Sequence, residues 1–172
     1  MENISNYIKQ TDALATHMII SALGKIEAPI DVRKIAKHYK IEVVEIAMPS
    51  DNQSGMILIK SKDDVMIAIN ENEPESRRRF TIAHELGHYK SYELQGKTGE
   101  ESVIEYRNGA SSLGTSSEEV FANGFAASLL MPKDAIDDCI KYNNCKYVRE
   151  LSAIFNVSDA TMGFRLKKLG YL

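Results

Sequence analysis

The feature that most constrains this chain is a His-Glu-x-x-His motif, which begins at His84 and ends at His88. On an α-helix, side chains four positions apart differ by about 40° around the axis and lie one turn from each other. The two imidazoles therefore project from one face, where together they can bind a zinc ion. The flanking residues are apolar on most of the circumference, which predicts a buried helix over about 75–94.

Glu85 adds hydrolytic chemistry to this predicted zinc site. It directly follows the first His, where its carboxylate can reach a zinc-bound water whose pKa falls from about 15.7 towards about 7. As the general base, Glu85 takes up a proton when this water attacks a peptide carbonyl, and it then delivers the proton to the leaving amine. The competing interpretation is an amphipathic helix with ordinary surface residues. The chain has only 4 His among 172 residues, so this motif rarely arises by chance at such a composition, which favours the zinc site.

A catalytic zinc site needs a third protein ligand as well as an open position for water. Glu118 and Glu119 are the candidates, because both begin a predicted helix after a stretch rich in Gly and Ser. Acidic residues there also complement the helix dipole, and Ser116 with Glu119 would form a capping box, so charge alone does not separate the two. Asn123 favours Glu119, because it lies one turn further on and could orient that carboxylate or a His ligand.

Together these motifs resemble the ImmA/IrrE family of zinc metallopeptidases. That family carries a Glu-x-x-Ala-Asn-x-Phe-Ala stretch ending in Leu-Leu-Met-Pro, which this chain carries from Glu119 to Pro132. The resemblance covers roughly residues 29–132 and implies that Glu119 is the third zinc ligand, beside His84 and His88. One departure is Phe121, which stands where many family members carry an acidic residue.

The resemblance also implies a biological setting. Members of the family are cytoplasmic, are often encoded on phages or mobile elements, and cleave a helix-turn-helix repressor that is typically a neighbouring gene's product. Some members act in stress responses. We therefore expect a zinc endopeptidase of the antirepressor type, in which Glu85 assists the attack of a zinc-bound water on a cytoplasmic protein substrate.

The predicted order of elements is helices, a small sheet and then more helices, which indicates an α+β fold. Strands are expected over 41–46, 55–59 and 65–69, with the last two as a β-hairpin. The expected architecture is a zincin-like minimal metallopeptidase core, with a small and mostly antiparallel sheet beside the active-site helix. We expect this domain to occupy residues 1–132, and a helical subdomain of helix-turn-helix type to occupy 133–172.

Three expectations concern the substrate. The strand over 65–69, or its hairpin partner, is the candidate sheet edge for holding an extended peptide. The stretch over 95–117 is rich in Gly, Ser and Thr, which predicts a long loop that covers the site until a partner moves it. The candidate donors to the oxyanion, with no preference among them, are Tyr89, Tyr92, Tyr106 and His38.

The C-terminal residues support a rival function. Residues 141–172 carry six basic and two acidic side chains, so the local balance is 6 − 2 = +4. With the helix-turn-helix pattern, this suggests a DNA- or protein-binding regulatory partner of the toxin–antitoxin kind, in which proteolysis is weak or conditional. The chain as a whole carries −3, which favours packing or partner docking by these helices over DNA binding.

Composition and single residues give the remaining expectations. The sequence has no apolar run of about 18 residues and no secretory pattern at its start, which predicts a cytoplasmic protein without a membrane segment. Cys139 and Cys145 are expected to be free thiols. The run Arg77–Arg79 is expected to be the solvated start of the metal helix, with a contact to an acidic substrate as the alternative. His17 is expected in the core and His38 at the surface.

Overall fold

Seven helices and four strands make up the part of the chain that the computed structural model describes, which is residues 2–48, 53–97, 102–107, 117–142, 145 and 147–172. The elements in chain order are α1 (Glu2–Leu23), α2 (Val32–His38), β1 (Ile41–Ile46), β2 (Gln53–Ser61), β3 (Asp64–Asn70), α3 (Glu75–Leu94), β4 (Ser102–Arg107), α4 (Ser117–Leu130), α5 (Lys133–Tyr142), α6 (Val148–Phe155) and α7 (Asp159–Leu169). This is the α+β class that the sequence predicts.

The four strands form one mixed sheet in the order β1-β3-β2-β4. β2 and β3 pair antiparallel as the predicted hairpin, β4 pairs antiparallel with β2, and β1 pairs parallel with β3. Helix α3 packs on this sheet at close range. A Cβ atom at Gly55 of β2 would lie 2.4 Å from Thr81 Cγ2 of α3, so only glycine permits this approach.

Two predictions about the sheet are wrong. The strand Val65–Ile69 lies inside the sheet between β1 and β2, and its hairpin partner β2 lies between β3 and β4, so neither is an edge. The stretch over 95–117 contains strand β4, which occupies the edge. The run that favours a strand is short, at Val103 and Ile104, and the residues on both sides of it are rich in Gly and Ser, so the sequence pattern indicates a loop. Pairing with β2 makes this run a strand. Residues 98–101 and 108–116 of the expected covering loop lie outside the described residues.

One hydrophobic core joins the sheet, the central helices and the C-terminal helices. Its fully buried members include Ile57 on β2, Leu86 on α3, Phe125 on α4 and Phe155 on α6. The C-terminal helices therefore pack on the rest of the chain through apolar side chains. The boundary expected at residue 132 stays a prediction.

A buried arginine reinforces the attachment of α7. The side chain of Arg165 is 2% exposed, and it donates hydrogen bonds to the Met131 carbonyl at 3.0 Å and to Asp12 Oδ1 at 2.5 Å. One of the six basic residues counted above is thus neutralised inside the protein. The positive charge that α7 offers to a partner is smaller than the sequence suggests.

Some expectations for single residues need correction, and others hold. Arg79 is buried rather than solvated, and it donates to the carbonyls of Ile30 and Asn156 at 2.9 and 3.4 Å. His17 is exposed rather than in the core, because the inward face of α1 runs through its neighbours Met18 and Ile19. His38 is exposed as predicted.

The two cysteines, Cys139 and Cys145, are free thiols, as predicted. Among the described helices, none combines the length and the apolar character that crossing a membrane requires.

Candidate metal centre

Helix α3 supplies the first two ligand candidates. His84 is fully buried and His88 is 2% exposed, one turn further along the same face. Their rings meet edge to face with centroids 4.7 Å apart, and the two Nε2 atoms lie 3.0 Å from each other. The predicted juxtaposition of two imidazoles is therefore present, and both Nε2 atoms point to one place.

Helix α4 brings Glu119 to the same place. Glu119 Oε1 lies 3.1 Å from His88 Nε2, and Oε2 lies 3.5 Å from His84 Nε2. One ligand atom from each of the three residues lies within 4.8 Å of the others, and we call these residues the His-Glu cluster. Glu118 is exposed at the start of α4. The structure thus separates the two acidic candidates, which charge alone could not do.

A glycine explains how α4 comes so close to α3. A Cβ atom at Gly87 would lie 2.8 Å from Ala122 Cα and 3.0 Å from the Ala122 carbonyl oxygen. Glycine within a helix costs about 1 kcal/mol relative to alanine. The missing side chain lets the backbones of α3 and α4 approach, and so lets Glu119 reach the two histidines.

The protonation states of the cluster fit a bound cation. Burial, together with the neighbouring His88, lowers the pKa of His84 to about 3, so His84 is neutral near pH 7. The hydrogen bond with His88 lowers the pKa of Glu119, which keeps that carboxylate ionised. Two imidazoles and one carboxylate are a donor set that zinc takes in catalytic sites.

Asn123 holds one of these rings in position. Its Oδ1 atom lies 3.0 Å from His84 Nδ1. When Nδ1 carries the proton, it donates to this oxygen and leaves the Nε2 lone pair directed at the cluster. Of the two roles expected for Asn123, orienting a His is the one that the geometry supports.

Glu85 has an unusual environment for a carboxylate. It is fully buried, and neither of its oxygens has a hydrogen-bond partner among the described residues. Burial raises its pKa well above the ordinary value, and the charge of Glu119 raises it further. An ionised carboxylate in such a place is costly unless something binds it. This cost fits a group that acts on a water or a substrate inside the site.

The candidate oxyanion donors are not resolved by the structure. Tyr89 and His38 both pack edge to face against Tyr39, with ring centroids 6.4 and 5.1 Å away. Tyr92 is partly buried against the core. The side chain of Tyr106 lies outside the described residues. All four therefore stay candidates.

A second group of residues lies beside the cluster, and of these the sequence analysis named only Arg77, as an alternative contact to an acidic substrate. Phe80 lies one turn before His84, and their ring centroids are 6.4 Å apart. With Arg77 and the start of α7, it lines a cleft next to the site. The sequence spacing of Arg77, Phe80 and His84 could have shown that they share one face of α3. Nothing in the sequence indicated that α7 would pack beside them.

The departure at Phe121 has a simple structural counterpart. Its ring stacks on Phe125 of the core, with centroids 6.1 Å apart and planes at 21°. An apolar side chain at this position adds packing to α4, and the three residues of the His-Glu cluster are present without an acidic residue there.

A His-His-Glu cluster carried by two helices beside a small sheet defines a zincin-like, metallopeptidase-like protein. Comparison with known proteins agrees. The model of the family Peptidase M78, described as an IrrE N-terminal-like domain, matches residues 36–167. The chain belongs to this family, which confirms the resemblance drawn from the sequence.

A solved structure shows the same fold. A Mycobacterium tuberculosis transcriptional regulator matches with a TM-score of 0.64 and 19% sequence identity. The match covers 96% of this chain and 49% of that one, so the chain spans about half of its length. A search among curated proteins found no match.

Proposed function

We propose that the chain is a zinc-dependent endopeptidase that cleaves a protein substrate. The observation that carries the proposal is the position of Glu85, a buried carboxylate without a hydrogen-bond partner among the described residues, directly beside the His-Glu cluster. A site that only stored a structural metal would gain nothing from this costly group.

Each residue then has a defined role. His84, His88 and Glu119 hold the zinc through the three donor atoms that lie within 4.8 Å of one another. A zinc ion held there would supply Lewis-acid chemistry, which polarises a carbonyl and lowers the pKa of water. Glu85 accepts the proton from that water and gives it to the leaving amine. Burial raises the pKa of Glu85 above its ordinary value, which makes this carboxylate a stronger proton acceptor than an exposed one.

The substrate that we propose is a helix-turn-helix transcriptional repressor in the cytoplasm, in keeping with the family resemblance. Strand β4 offers a route for binding it, because it is the edge of the sheet next to β2. An extended segment of the repressor can pair with the main chain of such an edge. This strand replaces the interior strand that the sequence suggested for the same task.

The first test measures metal content after growth in zinc. Wild type is expected to hold about one zinc ion per chain. Glu119→Ala should lose the zinc ion. Glu118→Ala should keep it, because Glu118 is exposed at the start of α4. This substitution is the matched control, since it removes the same charge one position earlier. A wild-type chain without any bound metal would refute the proposal.

The second test separates catalysis from metal binding. Glu85→Gln is expected to keep zinc but to abolish cleavage of a repressor encoded beside the gene, because glutamine cannot accept the proton. Loss of a catalytic base costs about 10²–10⁴-fold in rate. Equal cleavage by wild type and Glu85→Gln would show that the activity arises elsewhere.

A regulatory role through binding is the second candidate. It is favoured by the exposed Lys167 and Lys168 on α7 and by the name of the similar structure, a transcriptional regulator. Binding to duplex DNA that weakens steeply with salt, and that Lys167→Ala and Lys168→Ala reduce, would support it. Absence of such binding at micromolar protein leaves α6 and α7 as packing or docking elements.

A further inference from the structure

A cleft of about 210 Å³ opens beside the His-Glu cluster. Three elements line it, and the main contributors are Arg77, Phe80, Asn123, Val157, Ser158 and Thr161. Two of these residues also contact the candidate zinc ligands. Asn123 Oδ1 lies 3.0 Å from His84 Nδ1, and the Phe80 ring lies 6.4 Å from the His84 ring. The cleft therefore adjoins the ring of His84, one side chain away from the His-Glu cluster.

The size of the cleft points to a single side chain. Sites for whole small molecules usually measure about 300–1,000 Å³, which is larger than this cleft. The wall on the side of α7 is also fixed in place. Arg79 of α3 donates to the carbonyl of Asn156, and the Val157 amide donates to the Ser152 carbonyl at 3.0 Å. Hydrogen bonds therefore hold the turn at Asn156 and Val157, which bounds the cleft on the side of α7.

The cleft has one basic side chain in its described lining. Arg77 carries the only formal charge among its described lining residues. Arg77 Nε lies 3.8 Å from Glu73 Oε1, which also accepts a hydrogen bond from Ser54 Oγ at 2.7 Å. The amino end of α7 adds partial positive charge from its first backbone amides. Asp159 in that first turn accepts a hydrogen bond from Ser152 of α6.

We propose that this cleft is a specificity subsite for an Asp or Glu side chain of the protein substrate, with Arg77 as its binding partner. A guanidinium forms paired, charge-assisted hydrogen bonds with a carboxylate, and Phe80 and Val157 contact the methylene groups of the same side chain. The proposal rests on the endopeptidase function proposed above. It adds a sequence preference close to the scissile bond.

The test uses the zinc-loaded Glu85→Gln protein as bait, so that bound peptides are not cleaved. A displayed library of random peptides is selected against this protein and against two versions with a reversed charge. One adds Arg77→Glu. The other adds Arg78→Glu as a matched control, because Arg78 lies on the same helix but pairs with Glu45 and Glu75 and does not line the cleft. Circular dichroism and zinc content confirm that all three proteins are folded and loaded.

The expected result is Asp or Glu at one fixed position of the selected peptides with the bait and with the Arg78→Glu protein. Arg77→Glu should change that position to Lys or Arg. Replacing the acid by Gln in one selected peptide should weaken its binding about tenfold or more, as expected for a charge-assisted hydrogen bond. An unchanged preference with Arg77→Glu, selection without an acidic position or no selection at all overturns the subsite. None of these results affects the endopeptidase proposal, which depends on zinc content and on Glu85-dependent cleavage.

Discussion

The substitution Gly87→Ala tests the idea that close packing of two helices builds the His-Glu cluster. The new Cβ atom would lie 2.8 Å from Ala122 Cα, which is 3.4 − 2.8 = 0.6 Å short of ordinary contact and closer than real Cβ atoms come, so α3 and α4 must move apart. Ligand distances in a metal site tolerate about 0.2 Å. Zinc affinity should therefore fall, although no ligand has been changed.

The effect of Gly87→Ala on stability is the difference between two opposing terms. Alanine in place of glycine inside a helix stabilises by about 1 kcal/mol. Overpacking a filled space costs about 1–3 kcal/mol. The metal-free protein should therefore lie between no change and a loss of about 2 kcal/mol, and the loss corresponds to about 2–4 °C in melting temperature per kcal/mol.

Gly163→Ala is the matched control. Gly163 lies inside α7, and a Cβ atom there would meet nothing within 4 Å. It should gain up to about 1 kcal/mol and keep its zinc. Thermal unfolding by circular dichroism and zinc titration with a competing chelator measure both effects. Equal stabilisation by the two substitutions, with equal zinc affinity, would show that α3 and α4 do not depend on Gly87 for their spacing.

Three further predictions use other contacts of the site and the fold. Asn123→Ala should weaken zinc binding about 10–100-fold in a chelator titration, because it removes the oxygen that orients His84, and unchanged affinity would count against that role. Glu85→Gln should stabilise the metal-free protein by about 1–3 kcal/mol near neutral pH, since it removes an unpartnered buried carboxylate. The raised pKa of Glu85 means that ionisation costs stability as pH rises above its unfolded value near 4.5, so the gain should vanish towards acid in melting curves. A gain independent of pH would contradict this reading. Asp12→Ala should cost about 1.5–3 kcal/mol in urea unfolding, because it leaves the buried guanidinium of Arg165 without its carboxylate, and adding Arg165→Met should recover part of this loss.

Local spacing was enough to predict the two histidines of the His-Glu cluster. His84 and His88 lie one turn apart on a single helix, so their juxtaposition follows from helix geometry alone. Glu119 lies on another helix, and it was separated from Glu118 in the sequence only through Asn123 and the family resemblance. In the structure, Glu119 reaches the histidines and Glu118 is exposed.

Errors of sequence reasoning arose where distant segments decide the outcome. Strand β4 forms because β2 offers it a partner, and β3 is an interior strand because β1 pairs with its other side. Arg79 reads as a surface residue until the carbonyls of Ile30 and Asn156, which lie far from it in the chain, are seen to accept its hydrogen bonds.

The sequence by itself determined the metallopeptidase-like class of the protein and most of the helices, because both depend largely on residues that are close in the chain. Ligand types at helical spacing, caps and apolar periodicity are local properties. Tertiary structure brought Glu119 to the histidines, and it alone decided which strands lie at the edges of the sheet and what lines the cleft beside His84. The physical reason is that these features depend on contacts between elements, above all the approach of α4 to α3 at Gly87.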